Sequence, residues 1–344
     1  MMRSKIETIK PSPRIGIIGS GAIGGFYGLL LARAGFEVNF LLRSEYEAIA
    51  DHGLLVESRV FGNLRLEKVN AFRHVEDMPP SDWLLVGTKS TSNVDIAPVI
   101  VQAAAPGAKI LVMQNGLGVE DQLRPLLPSS LHLIGGLCYV CALRKAPGVI
   151  EHVALGDIHL GYHSGPAHSP DEQQAILEAG AALFRGTEIN AEAAPNLTQE
   201  RWHKLIFNVP FNGLSALLNA GTNTLASDPD SRELILDMMR EVIAGANHCG
   251  YPLSPELAEQ SMTMTAALPD YLPSMYQDYA QGRPMELDAI YAAPLAAARA
   301  AGYAMPKVES LYRTLRFLDA RHAPAHLPEA DYELADDRQA RYGD

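Results

Sequence analysis

The feature of the sequence that most constrains its fold is a glycine-rich turn between a short apolar run and a helix-like segment. The run RIGII at residues 14–18 is followed by GSGAIG at residues 19–24. Residues 22–33 have the length and apolar face of a helix, and FEVNFLL at residues 36–42 predicts a second strand. A G-x-G-x-x-G pattern alone is weak evidence, because glycines also mark simple turns. Here it lies within a βαβ unit, which is the context of dinucleotide binding.

Each glycine of this turn has its own physical task in a dinucleotide site. Gly19 permits the tight turn, Gly21 lets the backbone approach a pyrophosphate, and Gly24 lets the helix pack closely on the strand. The N-terminus of the helix adds unpaired N–H groups and a partial positive charge. We therefore predict that a dinucleotide contacts the whole turn, which comprises Gly19, Ser20, Gly21, Ala22, Ile23 and Gly24.

The end of the second predicted strand distinguishes NAD from NADP. An NAD site usually places Asp or Glu there to bind the ribose 2′-hydroxyl, whereas this chain has Arg43 followed by Ser44. A guanidinium and a hydroxyl bind a 2′-phosphate, which a carboxylate would repel. The alternatives are that Arg43 is a solvated loop cation, or that Glu45 points inward and favours NAD. The sequence favours NADPH/NADP+.

The remaining pattern predicts an α/β domain followed by an all-helical domain. Strand-like and helix-like segments alternate as far as residue 194, which is typical of a Rossmann-type doubly wound sheet; residues 91–107 are predicted as a helix and residues 149–163 as a hairpin. Helices alone are then predicted, at about residues 197–219, 228–249, 254–266, 284–301 and 306–320. The predicted parts are a cofactor-binding domain at residues 1–194, a substrate and catalytic domain at 195–322, and an acidic, loosely ordered tail at 323–344.

Composition argues against several other classes of function. The chain has 344 residues and a formal net charge of -12, with no run of Lys or Arg, so we predict no nucleic-acid partner. Its apolar runs are too short to span a bilayer, and its first residues contain no apolar signal segment, so we predict no membrane partner. Three cysteines suit a reducing compartment, and we predict a cytoplasmic protein.

Two pairs of cysteine and histidine residues offer weaker functional interpretations. Cys138 and Cys141 form a C-x-x-C pattern, but in the apolar run GGLCYVCAL two buried strand residues are expected more often than a redox dithiol. His159 and His163 are four residues apart, but Gly161 between them disfavours a helical metal site. We therefore predict no metal.

Two polar residues follow successive predicted strands. Lys89 in GTKS comes just after one strand, and Asn115 in QNGLG comes just after the next. In an open α/β sheet, ligands bind beyond the carboxyl ends of the strands, so both residues lie on the edge that meets a cofactor or substrate. Either residue alone would more often be an ordinary turn residue. Their occurrence at successive strand ends favours a functional site.

The first helix of the second domain carries polar residues in an otherwise apolar segment. Asn196 can cap this helix, with Gln199 as the partner in a capping box. Lys204, Asn208 and Asn212 recur every four residues in RWHKLIFNVPFNG and form one slightly drifting line along the helix. This line could be an exposed face, which would need no partners. The apolar surroundings instead predict burial, and buried polar groups require partners or a polar cavity.

The sequence resembles the ketopantoate reductases (2-dehydropantoate 2-reductases) over roughly residues 14–320. The motifs that carry the resemblance are GSGAIGG, LLR ending at Arg43, GTKS, QNG, HKLIFNVPFN and SMYQDYAQGRPMELD, and their order and spacing match together. The resemblance implies a Rossmann domain followed by a helical domain, with the active site in the cleft between them. It also implies NADPH-dependent reduction of ketopantoate to (R)-pantoate, a step in pantothenate and coenzyme A biosynthesis.

The resemblance also implies roles for individual residues. Lys204 matches the general acid of the family, and Glu286 in RPMELD matches the acid that completes the catalytic pair. Asn208, Asn212 and Ser274 match residues that bind the polar groups of the substrate. The implied contacts with the cofactor beyond the glycine-rich turn are Arg43, Lys89, Asn115 and Glu286, and Asn115 is also an implied substrate contact.

The role implied for Lys204 suits the chemistry of a ketone reduction. Hydride arriving at the carbonyl carbon leaves negative charge on the oxygen, which a positioned ammonium stabilises and then protonates. Burial among Trp202, Leu205 and Phe207 should lower the pKa of this ammonium toward neutrality. Ser274 has the residue type and the family position to bind the carboxylate of a 2-keto acid.

Some residues depart from the family pattern. The family often has an asparagine just beyond the Lys204 helix, where the loop NAGTNT offers Thr222 or Asn223. GGLCYVCAL also differs from a Thr- and His-containing version found in some members, which leaves the exact 2-keto acid open. Asp278 and Asp288 flank the last motif and are interpreted as structural, because acids near helix ends commonly cap the helix or are solvated.

Three functional hypotheses follow from these residues and from the resemblance. The first is an NADPH-dependent ketopantoate reductase, and the second is a paralogous NADPH-dependent reductase of another branched 2-keto acid. The third is a non-catalytic NADP-binding sensor. Lys204, Asn208, Ser274 and Glu286 together disfavour the sensor, which needs no general acid. The apolar faces of the helical domain permit a homodimer.

Overall fold

The first half of the chain forms a ten-stranded sheet with helices on both faces, in a computed structural model that describes residues 12–187 and 189–322. The strands are β1 (Ile15–Ile18), β2 (Val38–Leu41), β3 (Leu54–Ser58), β4 (Gly62–Leu66), β5 (Asn70–Phe72), β6 (Ser81–Val86), β7 (Ala104–Val112), β8 (His132–Ala146), β9 (Val149–Ser164) and β10 (Ala191–Ala193). The α-helices are α1 (Ala22–Arg33), α2 (Tyr46–His52), α3 (Asn93–Ala103), α4 (Val119–Leu123) and α5 (Pro170–Arg185). Short 3₁₀ turns occupy Val75–Asp77, Ser90–Ser92 and Arg124–Leu126.

The sheet is parallel around β1 and mixed further out. The strand order is β4-β3-β9-β8-β7-β6-β1-β2-β5, with β10 beside β9. β1 pairs in parallel with both β2 and β6, whereas β8 pairs antiparallel with β9 and β3 with β4. Ile17 packs in the core that contains α1 and α5, and Ile18 packs in the core that contains α3 and α4. The predicted Rossmann-type sheet is therefore confirmed, with antiparallel strands added at one side.

Some local predictions differ from the structure. Residues 149–163 form part of the single strand β9, and the hairpin is the one that β9 makes with β8. Leu155 (φ 65°) and Gly156 (φ 148°) form a bulge there, so their turn-like sequence interrupts the strand without ending it. The helix predicted at residues 91–107 ends at Ala103, where β7 begins in an alanine-rich stretch that carries no strand signal.

Residues 44–80 contain elements for which the sequence gives little signal. α2, β3, β4 and β5 lie in this stretch, and none of them was predicted. Each strand here has five residues or fewer, and β4 is mostly exposed. Such short strands are too brief for apolar periodicity to identify them.

Among the described residues that follow β10, all regular secondary structure is helical. Its helices are α6 (Leu197–Leu218), α7 (Thr222–Ser227), α8 (Pro229–His248), α9 (Leu257–Ala267), α10 (Ser274–Ala280), a π-helical turn at Asp288–Ala292, α11 (Ala293–Ala300) and α12 (Pro306–His322). The predicted helical region is confirmed, although the short α7 and α10 were not predicted. None of the described helices is long and apolar enough to cross a membrane. The tail predicted at residues 323–344 lies outside the described residues.

Helix α6 contacts strands β8 and β9 of the sheet as well as the other helices of the helical region. Its N-terminus is capped as predicted, because Asn196 Oδ1 accepts a hydrogen bond from Gln199 N at 3.0 Å. The predicted capping box is wrong, because the Gln199 side-chain amide instead donates to Pro252 O at 2.8 Å. Trp202 is buried in the core of the helical region, and Pro210 is accommodated without ending the helix. Helix α6 therefore has a defined start and continues past Pro210 to Leu218.

Candidate active site

A cavity of about 960 Å³ lies between the carboxyl edge of the sheet and the helical region. Its walls come from the turns after β1, β2, β6 and β7, from strands β8 and β9, from helices α6, α9 and α10, and from the segment after α10. The predicted site residues that line it are Gly19, Gly21, Ala22, Ile23, Arg43, Lys89, Asn115, Lys204, Asn208, Asn212, Ser274 and Glu286. Ser20 and Gly24 are buried in the same turn. The fold therefore brings together residues that are widely separated in the sequence.

The glycine-rich turn has the geometry that dinucleotide binding requires. Gly19 has φ 89°, a conformation that residues with a Cβ rarely adopt. A Cβ on Gly24 would lie 2.1 Å from Gly19 O, so only glycine permits this close approach of helix and strand. Gly21 is the N-cap of α1 and carries no capping side chain. The end of the helix is therefore open to an anionic group in the cavity, and the residues present fit a dinucleotide.

The cavity wall beyond β2 presents two guanidinium groups. Arg43 is exposed and lines the cavity, and so does Arg144 from β8. Glu45 is buried, and its Oε1 accepts a hydrogen bond from Arg144 Nη1 at 2.9 Å. Burial raises the pKa of Glu45, and the Arg144 guanidinium opposes that shift. The carboxylate that could have favoured NAD is thus paired with an arginine.

Lys204 Nζ lies against strand β8. It donates a hydrogen bond to Cys138 O at 2.6 Å and lies 5.5 Å from the centroid of the Tyr139 ring. Burial lowers the pKa of Lys204 to about 8, and the Arg201 guanidinium acts in the same direction, whereas Glu286 opposes it. The pKa direction agrees with the expectation from sequence.

The side chains expected to surround Lys204 are largely elsewhere. Trp202 and Leu205 pack in the core of the helical region, because they project from other sides of α6. Phe207 does line the cavity. Strand β8, which lies against Lys204 Nζ, therefore contributes to the burial of the ammonium.

The two asparagines of α6 are buried in the cavity wall. Asn208 is 6% exposed and Asn212 is 3% exposed, so the alternative of an exposed helix face is wrong. Asn208 Nδ2 and Gln114 Oε1 have no hydrogen-bond partner among the described residues, and both side chains line the cavity. Leaving a buried polar group unpaired costs about 1–3 kcal/mol, which a ligand with matching polar groups would offset. Gln114 belongs to the QNG motif, although only Asn115 was singled out.

A second lysine is held by two buried carboxylates at the junction of the two regions. Lys89 Nζ donates to Asp278 Oδ2 at 2.7 Å and to Glu286 Oε2 at 3.2 Å. Glu286 Oε1 accepts hydrogen bonds from Ser90 N and Ser90 Oγ, each at 3.0 Å. Burial alone would lower the pKa of Lys89, but Glu286 and Asp278 raise it. The pKa of Lys89 is therefore raised, whereas that of Lys204 is lowered.

The three acidic residues singled out from the sequence differ in their surroundings. Glu286 hydrogen-bonds Lys89 and Ser90 rather than Lys204, so any interaction with Lys204 acts through space. Asp278 is 1% exposed and hydrogen-bonded to Lys89 and Arg283, so it is neither a helix cap nor a solvated acid. Asp278 also lines the cavity, a placement that no local sequence pattern indicates. Asp288 is exposed, as expected of a solvated acid.

Neither residue offered as a substitute for the loop asparagine of the family is among those that line the cavity. Asn223 Nδ2 donates to Ala266 O at 3.2 Å and to Leu268 O at 3.1 Å. Thr222 is buried, and its backbone N–H donates to Tyr271 O at 2.9 Å. The side-chain amide of Asn223 therefore stabilises the loop before α10.

The two cysteines have the properties of buried strand residues, as expected. Cys138 and Cys141 are 5% and 8% exposed, and burial raises the pKa of each thiol to about 11. They are therefore protonated thiols, unlike the thiolates of redox-active pairs.

The two histidines interact with different acidic residues. His159 Nδ1 lies 3.4 Å from Glu200, and His163 Nε2 lies 3.0 Å from Asp121. Within the described residues, no group of three His, Cys, Asp or Glu side chains is arranged to hold a metal ion.

Comparison with known protein families decides the relationship. Residues 15–165 match the model of ketopantoate reductase PanE/ApbA, and residues 196–319 match the model of its C-terminal part. The chain belongs to the ketopantoate reductase family. As a member of this family, the protein is an oxidoreductase.

Individual relatives agree with this assignment over nearly the whole chain. The 2-dehydropantoate 2-reductase of Nostoc sp. is 38% identical over 314 residues, which cover 90% of this chain and 97% of the relative. The crystal structure of 2-dehydropantoate 2-reductase from Geobacter metallireducens is 39% identical, with a TM-score of 0.82 over 88% of this chain and 99% of that one. The corresponding structure from Methylococcus capsulatus is 30% identical, with a TM-score of 0.78 over 91% and 99% of the two chains.

Proposed function

We propose that this ketopantoate reductase family member reduces ketopantoate to (R)-pantoate with NADPH, in the route to pantothenate and coenzyme A. The observation that carries the proposal is the position of the Lys204 ammonium, which lies in the same cavity as the glycine-rich turn and has a pKa lowered to about 8. The relatives named as 2-dehydropantoate 2-reductases support the same substrate. Ketopantoate is another name for 2-dehydropantoate.

The two regions of the chain divide the binding tasks. We place the domain boundary near Pro195, between β10 and α6, so that residues 1–194 bind the cofactor and residues 195–322 bind the substrate. The turn at residues 19–24 would hold the pyrophosphate, and Arg43 would hold the 2′-phosphate. Lys89 and Asn115 would lie at the junction with the substrate. When bound, the reduced nicotinamide supplies the hydride.

Lys204 delivers the proton in the proposed reaction. One of its N–H groups is fixed by Cys138 O, which leaves two that can point toward a ketone oxygen in the cavity. The ammonium stabilises the negative charge that develops on this oxygen and then protonates it. The unpaired Asn208 Nδ2 would bind a second substrate oxygen, and Ser274 would bind the carboxylate.

The proposal is tested by following NADPH oxidation with ketopantoate and with a panel of other 2-keto acids, each repeated with NADH. A clear preference for ketopantoate with NADPH is expected. A preference for another branched 2-keto acid would retain the mechanism and identify a related reductase. Binding of NADPH without turnover of any 2-keto acid would favour a sensor.

Arg43 is expected to set the preference for NADPH. Arg43→Ala removes the guanidinium that would bind the 2′-phosphate, and a hydrogen bond to a charged group contributes about 1.5–3 kcal/mol. The KM for NADPH should therefore rise by about 10- to 100-fold, with little change in the KM for NADH. Arg73→Ala is a suitable control, because Arg73 is an exposed arginine that pairs with Glu47. Equal changes with both nucleotides would contradict the assignment.

The pH dependence of the reaction should follow the pKa of Lys204. Reduction requires the protonated ammonium, so kcat/KM for ketopantoate should be constant at lower pH and fall about tenfold per pH unit above the pKa of about 8. Oxidation of pantoate requires the neutral amine, so its rate should rise with pH and level off near the same value. Both directions can be measured by NADPH absorbance. If kcat/KM for reduction began to fall only near the ordinary lysine pKa of about 10.4, this assignment would be excluded.

A further inference from the structure

A buried ion pair connects helix α6 to helix α4. Arg201 is 3% exposed and Glu120, in α4, is 2% exposed. Arg201 Nε donates to Glu120 Oε2 at 3.1 Å, and Arg201 Nη2 forms a second hydrogen bond with Glu120 Oε1. Two parallel bonds of this kind fix the plane of the guanidinium as well as its position. The pair joins the helical region to the α/β region.

The same guanidinium also holds the loop that carries Asn115. Arg201 Nη1 donates to Gln114 O at 2.7 Å and to Gly116 O at 3.1 Å. These two carbonyls belong to the residues immediately before and after Asn115. One arginine therefore clamps the backbone on both sides of a proposed ligand contact.

The loop is confined from a second direction by the π-helical turn. Leu117 N donates to Ala289 O at 2.8 Å, and a Cβ added to Gly116 would lie 2.5 Å from Ala289. The loop thus lies between Arg201 on one side and Ala289 on the other. Without the arginine, two buried carbonyls and a buried carboxylate would lose their hydrogen-bond partner. We therefore expect removal of Arg201 to displace this loop more than any other part of the site.

Arg201 also lies close to Lys204 along the helix. It precedes Lys204 by three residues, so the two side chains occupy the same side of α6 about one turn apart. The groups that influence Lys204 electrostatically are Cys138 and Cys141 from β8, Arg201 from α6, and Glu286, and the Tyr139 ring lies nearby. Arg201 is the cation in this set, and it lowers the pKa of Lys204.

We propose that Arg201 is a positioning residue for the reduction. It holds the loop that contains Asn115 at a fixed position relative to Lys204, on the opposite side of the cleft. The inference rests on the proposed function, because it assigns Arg201 a task in the same reaction. A displacement of a reacting group by about 1 Å can reduce catalysis by about 10²-fold. A clamp that sets both walls of the cleft from one side chain therefore has a direct effect on turnover.

The inference is tested with Arg201→Met and Arg201→Lys. Arg201→Met removes the clamp and the charge, so kcat should fall by about 10²-fold, while the Kd for NADPH rises by no more than about tenfold, because the glycine-rich turn and Arg43 stay intact and only the contact of Asn115 with the cofactor is disturbed. Loss of the cation raises the pKa of Lys204, so the basic limb of kcat/KM should move to higher pH. Arg201→Lys retains the charge but cannot bond both carbonyls and the carboxylate. Its kcat should fall, while the pH at which kcat/KM begins to decrease should stay at the wild-type value.

Controls separate positioning from general stability. Arg124 also donates to backbone carbonyls, those of Leu127, Pro128 and Leu131, but in a part of the α/β region that does not line the cavity. Arg124→Met should lower the melting temperature without moving the pH limb. A loss of turnover in Arg201→Met that Arg124→Met reproduces at equal loss of melting temperature would overturn the inference. The inference would also be overturned if Arg201→Met kept the wild-type kcat and the wild-type pH dependence of kcat/KM.

Two further outcomes are decided by the same set of proteins. If Arg201→Met does not fold, Arg201→Lys takes its place, since it keeps the charge but cannot bond both carbonyls and the carboxylate. A lower kcat at an unchanged melting temperature then supports the inference, and an unchanged kcat overturns it. Wild-type protein that reduces ketopantoate while the Arg201 variants behave normally rejects this inference alone. Wild-type protein that reduces no 2-keto acid rejects the proposed function and the inference with it.

Discussion

Replacing Lys204 by alanine is expected to lower kcat for ketopantoate reduction by about 10²- to 10⁴-fold, the usual contribution of a positioned general acid. The ammonium lies in the cavity and is fixed by Cys138 O at 2.6 Å. The hydride donor is held by other residues, so the Kd for NADPH should change little. Steady-state rates and titration of nucleotide binding by fluorescence measure the two quantities separately.

The control for this result keeps the shape of the side chain. Lys204→Met should lose as much turnover as Lys204→Ala, because it also lacks the proton. Lys307→Met should retain full turnover, because Lys307 pairs with Asp237 in the helical region and does not line the cavity. Turnover that persists at the wild-type level in both Lys204 variants would remove the acid from the mechanism.

Loss of Lys204 should leave the fold intact. Burial lowers the pKa of Lys204 in the folded protein below its value in the unfolded chain, so the charged form disfavours folding. This cost is fully present below a pH of about 8 and diminishes as the pH rises from there toward the unfolded value. The melting temperature of Lys204→Met at neutral pH should therefore be equal to or above that of the wild type. A fall in kcat cannot then be attributed to unfolding.

The sequence predicted the fold best where local signals agree with the tertiary structure. Helix α1 spans Ala22–Arg33 as predicted, because the glycine-rich turn starts it and the apolar face is continuous. Helix α6 was predicted at about residues 197–219 and spans Leu197–Leu218, since Asn196 caps its start. Its C-cap, Asn219, adopts the left-handed conformation that asparagine tolerates. In both helices, propensity, capping and apolar pattern give the same answer.

The parts of the site that were not predicted depend on contacts between distant residues. Asp278 pairs with Lys89 across 189 positions of sequence, and nothing in its neighbourhood distinguishes it from a capping acid. The partner of Lys204 is a backbone carbonyl, Cys138 O, which every residue type offers. Neither contact leaves a pattern in the local sequence. The residue types of the site are thus readable from sequence, whereas their electrostatic partners require the tertiary structure.

Replacing Glu286 is also expected to reduce activity strongly, because Glu286 connects the two walls of the cleft. It is 4% exposed and accepts hydrogen bonds from Lys89 and Ser90, both in the turn after β6. Glu286→Ala leaves the buried Ser90 N–H unpaired and leaves Lys89 with Asp278 as its remaining carboxylate partner. We expect kcat/KM to fall by about 10²-fold and the free energy of unfolding to fall by about 1–3 kcal/mol.

The isosteric Glu286→Gln separates charge from shape. Its amide oxygen can still accept from Ser90 N, but its NH₂ group then faces the Lys89 ammonium, so one of the two carboxylate charges beside Lys89 is lost at nearly constant volume. Stability should therefore fall less than in Glu286→Ala, while kcat/KM falls by a similar factor, because the carboxylate acts on the site through its charge.

Glu241→Gln is the matched control for Glu286→Gln. It alters a buried carboxylate that accepts from Lys307 N and Val308 N outside the cavity, so it should affect unfolding and leave kcat/KM unchanged. If Glu286→Gln retains full activity, the carboxylate serves only to stabilise the fold.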